Sequence, residues 1–136
     1  MGYRSDVAIA FAFKKKEQID EVLAIYQMRP FVSEHNLAER WTVRDWNGVW
    51  GLTFVADSVK WYDSYEDVQG LEDMVEVVKT FAEERGAAFP YAHCKLRLGE
   101  DEGDYERVYE HNDAGIDLID SLYSRMDIRR ELQLEF

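Results

Sequence analysis

Residues 3–13, YRSDVAIAFAF, alternate strictly: Val7, Ile9, Phe11 and Phe13 fall on one face, and Ala8, Ala10 and Ala12 on the other. Two apolar faces mark a strand in the middle of a sheet, and the alanine face lets a second layer approach closely. The period then changes. Over residues 15–28, Ile19, Val22, Leu23 and Tyr26 recur at helical spacing and form one stripe for the core. Pro30 stops this helix, because it has no N–H to extend the ladder. Residues 31–40 read equally as a short helix capped by Ser33 or as a loop.

The stretch RWTVRDWNGVWGLTFVAD carries the strongest local signal. Asn47-Gly48 between two alternating runs predicts a hairpin turn with positive φ at both central residues. The implied register sets Trp46 against Val49, Val43 against Leu52 and Trp41 against Phe54. It puts Trp46 and Trp50 on opposite faces. The alternation breaks near Asp57, which suggests a bulge or bend. VKWY then extends the strand. Asp63 or Ser64 is expected to cap the next helix, with Glu66 or Asp67 completing a capping box. Val68, Leu71, Met74, Val75, Val78, Phe81 and Ala82 follow at helical spacing, and Gly86 closes the helix. Acids at its start and Lys79 and Arg85 towards its end both suit the helix dipole.

Residues 91–98 read as a strand with Cys94, Leu96 and Leu98 inward. GEDEGD is an acidic turn, and residues 105–111 return as a further strand. Met126, Ile128, Leu132 and Leu134 alternate, so 122–134 reads as a last strand. A helix over 116–126 competes with it, because Ile116, Ile119, Leu122 and Met126 also share a helical stripe. The resulting order, β-α-β-β-α-β-β-β, predicts a single α+β domain over residues 1–136. Its mostly antiparallel sheet of five to six strands carries two main helices on one face.

Composition sharpens this picture. The chain has 136 residues, 46% of them apolar, enough for a real core. No apolar run approaches membrane-spanning length, and no basic-then-apolar leader opens the chain. The single cysteine, Cys94, excludes an intrachain disulfide and suits a reducing compartment. The net charge of −12, from 28 acids and 16 bases, repels nucleic-acid backbones and anionic membranes and favours a basic protein partner.

Complete catalytic signatures are not found in the chain, and no cofactor is expected. GEDEGDYE, residues 99–106, lacks the ligand spacing of a calcium loop and reads as a solvated hairpin tip. His93 and His111 would face each other if the 91–111 hairpin were symmetric about residue 102, with Glu110 or Asp113 as a third metal ligand. Cys94 has His93 beside it in sequence, but neighbours on a strand point apart, so a buried structural thiol is expected. The residues put forward for binding are the aromatic and acidic ones: Trp46, Trp50, Trp61, Tyr62, Asp63, Tyr65, Glu66 and Asp67, with Glu100, Asp101, Glu102 and Asp104. Trp61, Tyr62 and Tyr65 also suit a structural role at the strand-to-helix junction.

Four segments, MGYRSDVAIA, VKWYDSYEDV, KLRLGEDEGD and LYSRMDI, together resemble a group of small, mostly uncharacterised proteins encoded by bacteriophages. The resemblance carries no catalytic residue. It implies a phage origin and the bacterial cytoplasm, supports a strand over 122–134, and sets Tyr3, Arg4, Trp61, Tyr62, Glu100 and Arg125 in recurring motifs. The expected function is a non-enzymatic phage protein that binds a basic or nucleic-acid-binding host or phage protein, charge mimicry being a sub-case. The alternatives are a small metal-assisted enzyme built on His93 and His111, and a module that self-associates into a homo-oligomer through its edge strands.

Overall fold

A computed structural model describes residues 2–128 and 131–136. Its elements are β1 (Ser5–Phe13), α1 (Lys16–Gln27), α2 (Pro30–Glu34), a 3-10 turn (Leu37–Arg40), β2 (Thr42–Asp45), β3 (Trp50–Val59) and α3 (Glu66–Arg85). After a second 3-10 turn come β4 (Tyr91–Gly99), β5 (Tyr105–His111), a third 3-10 segment (Asp113–Leu118), α4 (Ile119–Tyr123), β6 (Met126–Ile128) and β7 (Leu132–Leu134).

Five strands form an antiparallel sheet in the order β2-β3-β1-β4-β5. β1 lies at its centre, as its two apolar faces require. Through β4 the connections follow two interlocked split β-α-β units, a ferredoxin-like order, and β5 adds one edge strand. The fold is α+β.

Each face of β1 meets its own core. Val7, Ile9, Phe11 and Phe13 pack with Ile19, Val22 and Tyr26 of α1 and with Val68, Leu71, Met74, Val77 and Val78 of α3. Both main helices therefore cover one face. Ala8, Ala10 and Ala12, together with Ala92, Cys94 and Leu96 of β4, receive Leu118, Ile119, Leu122 and Met126 on the other face. The small alanine side chains let this C-terminal layer sit close to the sheet.

The Asn47-Gly48 turn has φ of 55° and 93°. Val43 pairs with Leu52, and Trp46 N donates to Val49 O at 2.8 Å, which is the register the turn chemistry requires. The β1–β3 register slips between Ser5 and Val7, a bulge that places Ser58 at a φ of 53°.

Several expectations need correction. Pro30 does not only end α1; it occupies the first turn of α2, where its missing N–H costs nothing, and the cap of that helix is Arg29, not Ser33. α1 starts with Gln18 folded back: its Oε1 accepts from Lys14 N and Lys15 N, and its Nε2 donates to Pro90 O at 2.9 Å. Neither Asp63 nor Ser64 caps α3. Tyr65 takes that position, because a turn closed by Tyr65 N to Tyr62 O at 2.9 Å delays the helix, and Asp67 Oδ1 accepts from Val68 N. Nor do residues 122–134 form one strand. Leu122 lies in α4, and β6 and β7 pair with each other apart from the main sheet. Arg129 and Arg130, within that expected strand, lie outside the described residues, as does Met1.

Candidate functional site

Antiparallel order brings the start of β1, the ends of β3 and β4 and the start of β5 to the same end of the sheet. α3 also begins there. Tyr3 fastens this end. Its N–H donates to the Tyr62 hydroxyl at 2.6 Å, and its own hydroxyl donates to Asp104 Oδ2 at 2.6 Å and accepts from Asp101 N at 2.8 Å. The space a Cβ would take at Gly99 is filled by the Tyr3 hydroxyl and the Asp104 carboxylate, so the clasp needs glycine there.

Arg4 extends the clasp. Its N–H donates to Glu100 Oε1 and its guanidinium to Ser58 O, both at 2.7 Å. Asp6 Oδ1 accepts from Ser58 N at 2.7 Å, so the left-handed bulge residue is held on both sides. A shallow cleft of about 360 Å³, lined by Arg4, Ser5, Asp6, Ser58 and Gly99, opens between these segments.

Arg97 supports the acidic turn from beneath. It pairs with Asp104 at 2.8 Å and with Glu106 at 2.7 Å. The Arg97 guanidinium, followed by the Tyr3 hydroxyl, holds the Asp104 carboxyl down at about 2. Asp104 is thereby spent on structure. Asp63, Tyr65, Glu66, Asp67, Glu100, Asp101 and Glu102 are exposed, and Tyr3 joins the segment that carries the first four to the turn that carries the last three. Two acidic segments far apart in sequence thus form one rim.

The aromatic candidates divide. Tyr62 is half-buried and meets Tyr65 edge-on, with ring centroids 5.0 Å apart. Trp50 is half-buried against the first core. Trp61 is buried in that core, 5.8 Å from Phe54. Trp46 is buried in the second core, between the Arg125 guanidinium, 4.6 Å from its ring, and Phe136. An exposed contact role for Trp46 and Trp61 is therefore corrected: packing against the sheet has used up their surface.

The proposed histidine pair also fails. β4 and β5 pair His93 with Glu110 and Ala92 with His111, one residue out of the symmetric register. His93 consequently faces α3, while His111 lies exposed on the opposite face with Cys94 and Tyr109. Among the described residues no three His, Cys, Asp or Glu side chains are grouped to hold a metal ion. Cys94 is fully buried, and burial pushes its thiol up to about 12.

A second polar strip was not foreseen. His93, Lys95 and Arg97 alternate on the α3 side of β4 opposite Glu110 and Glu106 of β5. Lys95 pairs with Glu72 of α3 and lies 3.4 Å from Glu106; Lys79 pairs with Glu110 at 2.7 Å. The signal lay in the HCKLRL and YERVYE alternation, which acquires meaning only once the hairpin register is known.

Comparisons of the chain with protein families, with curated proteins and with solved structures find no match. Among the described residues no helix is long and apolar enough to cross a membrane. The fold and the site therefore define the chain by its chemistry alone: an α+β protein with a clasped acidic rim at one end of its sheet.

Proposed function

We propose that this is a non-enzymatic binding protein whose acidic rim contacts a basic protein, one that itself binds nucleic acid. The observation that supports this reading most is the Tyr3 clasp, which bonds Tyr62, next to the exposed acids of residues 63–67, to the turn that carries the exposed acids of residues 100–102. The net charge of −12 extends the same field over the molecule. Charge mimicry follows as the sub-case: spaced carboxylates on a firm frame occupy a groove shaped for phosphates. The motif resemblance adds a phage origin and the bacterial cytoplasm as the setting. Its residues Tyr3, Arg4, Tyr62 and Glu100 meet in the clasp, whereas Trp61 and Arg125 lie in or against the cores.

The test uses the heparin-retained protein fraction of a bacterial lysate and the immobilised full chain. Charge reversal at Asp63, Glu66, Asp101 and Glu102 abolishes capture. Reversal at the exposed Glu17 and Asp20 of α1 leaves it intact, and capture by the unaltered chain weakens as salt rises. Equal capture by both variants rules the reading out.

A further inference from the structure

β5 closes one edge of the five-stranded sheet and β2 closes the other. Bonds from Gly99 N to Asp104 O at 2.8 Å and from Asn112 N to Tyr91 O at 3.3 Å bracket the β4–β5 ladder. Hydrogen-bonded pairs alternate along such a ladder, so Glu106, Val108 and Glu110 turn their backbone groups towards β4. Tyr105, Arg107, Tyr109 and His111 turn theirs outward, where no hydrogen-bond partner meets them among the described residues.

The two edges differ. β2 has four residues, and only Val43 and Asp45 turn their backbone outward. A short edge of this kind resists pairing. β5 has seven residues, with no proline, no glycine and no slip of register. Exposed apolar side chains flank it. Tyr105 is 53% exposed, and so, at 54%, is Tyr123, whose ring lies 4.5 Å from that of Tyr109. Ile116, in the 3-10 segment that packs against β5, is 59% exposed. A regular open edge with exposed rings beside it is a surface for a further strand.

We propose that β5 pairs antiparallel with β5 of a second copy of this chain, about a two-fold axis at Val108, so that one sheet runs through both copies. Such a contact is isologous, and the order of residues in the strand complements itself only in this register. Val108 meets Val108, Tyr105 meets His111, and Arg107 meets Tyr109, a cation beside an aromatic ring. Arg107 and Tyr109 both turn their backbone outward, as a hydrogen-bonded pair requires. Glu106 meets Glu110, but each carboxylate is already neutralised within its own chain, by Arg97 and by Lys79, both at 2.7 Å. An axis at Arg107 would set two guanidinium groups against each other, and an axis at Tyr109 would leave Tyr105 and Glu106 without partners in β5.

The test measures the mass of the full chain by light scattering, which gives twice the chain mass. The dimer tightens as salt rises, because salt screens the repulsion between two copies that each carry a charge of −12. Capture by the acidic rim weakens with salt, so the two readings fail independently. Arg107→Pro deletes one outward N–H and spares the β4 ladder; it gives a folded monomer, whereas Arg107→Ala keeps that N–H and stays dimeric. Val108→Cys, oxidised with diamide, links two copies, because Cα atoms paired at the axis lie about 4.5 Å apart. Tyr105→Cys, far from its own copy in this register, does not link. A chain that stays monomeric at the concentration of an NMR sample leaves the edge to a strand of another protein and overturns the assignment. A dimer that survives Arg107→Pro, or a Tyr105→Cys chain that links as readily as Val108→Cys, overturns it too. If Arg107→Pro does not fold, the two cysteine variants decide.

Discussion

The hydroxyl of Tyr3 donates a 2.6 Å hydrogen bond to the carboxylate of Asp104, 101 positions along the chain. With the Tyr62 contact on the Tyr3 backbone, this bond ties the start of β1 to the approach to α3 and to the β4–β5 turn. Tyr3→Phe keeps the ring and removes both bonds of its hydroxyl. The Asp101 amide then exchanges faster, the Asp104 carboxyl titrates at higher pH, and the urea midpoint falls by less than a core truncation would cause. Hydrogen exchange and carboxyl NMR check this; an unmoved Asp104 titration would show that Arg97 alone holds that carboxylate.

Asp104 also sets a pH dependence. Its carboxyl titrates at about 2 in the folded chain, below its usual 3.8. The folded state therefore gains stability from it fully above pH 3.8 and loses that gain as pH falls towards 2. Asp104→Asn lowers stability at neutral pH and flattens the profile in that window, as chemical denaturation across pH will reveal.

His93 acts in a higher window. Burial lowers it from 6.5 to about 4, against the favourable pull of Glu110 and with Lys79 and Lys95 nearby. Between these values the unfolded chain binds the proton that the folded chain refuses, so stability falls as pH drops from 6.5 towards 4. His93→Phe removes this slope. If wild type and variant lose stability in parallel over that range, the imidazole is not excluded from protonation.

Gly51→Ala tests the second core. A Cβ there meets the six-membered ring of Trp46, which is itself backed by Arg125 and Phe136. The indole must shift, at a cost of about 1–3 kcal/mol, typical of overpacking. Thermal unfolding and a red-shifted tryptophan emission report it.

Cys94 resists alkylation in the folded chain, because it is fully buried and its thiol is pushed up to about 12. Iodoacetamide labels it at the rate of unfolding; rapid labelling without denaturant would contradict the burial.

Legibility followed locality. The central β1, the stripe of α1, the bulge near Asp57 and the Asn47-Gly48 hairpin were all readable, because each is decided by a few neighbouring residues: a repeat of two or 3.6, or a turn that demands positive φ. The Tyr65 cap was not, since Asp63 and Ser64 both satisfy the capping pattern and the turn from Tyr62 decides between them. For the binding candidates, the acids of residues 63–67 and 100–102 remain at the surface, whereas Trp46 and Trp61 are taken into the two cores. Composition can count rings, but burial depends on which layer arrives to cover them.

The amino-acid order by itself determined β1, the helical stripes of α1 and α3 and the Asn47-Gly48 hairpin, the sheet's apolar centre, the acidic character of the surface and the inert setting of the lone thiol, but not the C-terminal elements after β5. These follow from periodicity and charge, which need no partner at long range. Tertiary structure decided the pairing of β4 with β5, where one residue of register sends His93 under α3 and His111 to the far face. It also decided the meeting of two remote acidic segments around Tyr3. Side chains alternate across a strand, so a shift of one position reverses what faces what, and only packing against the helices selects the position.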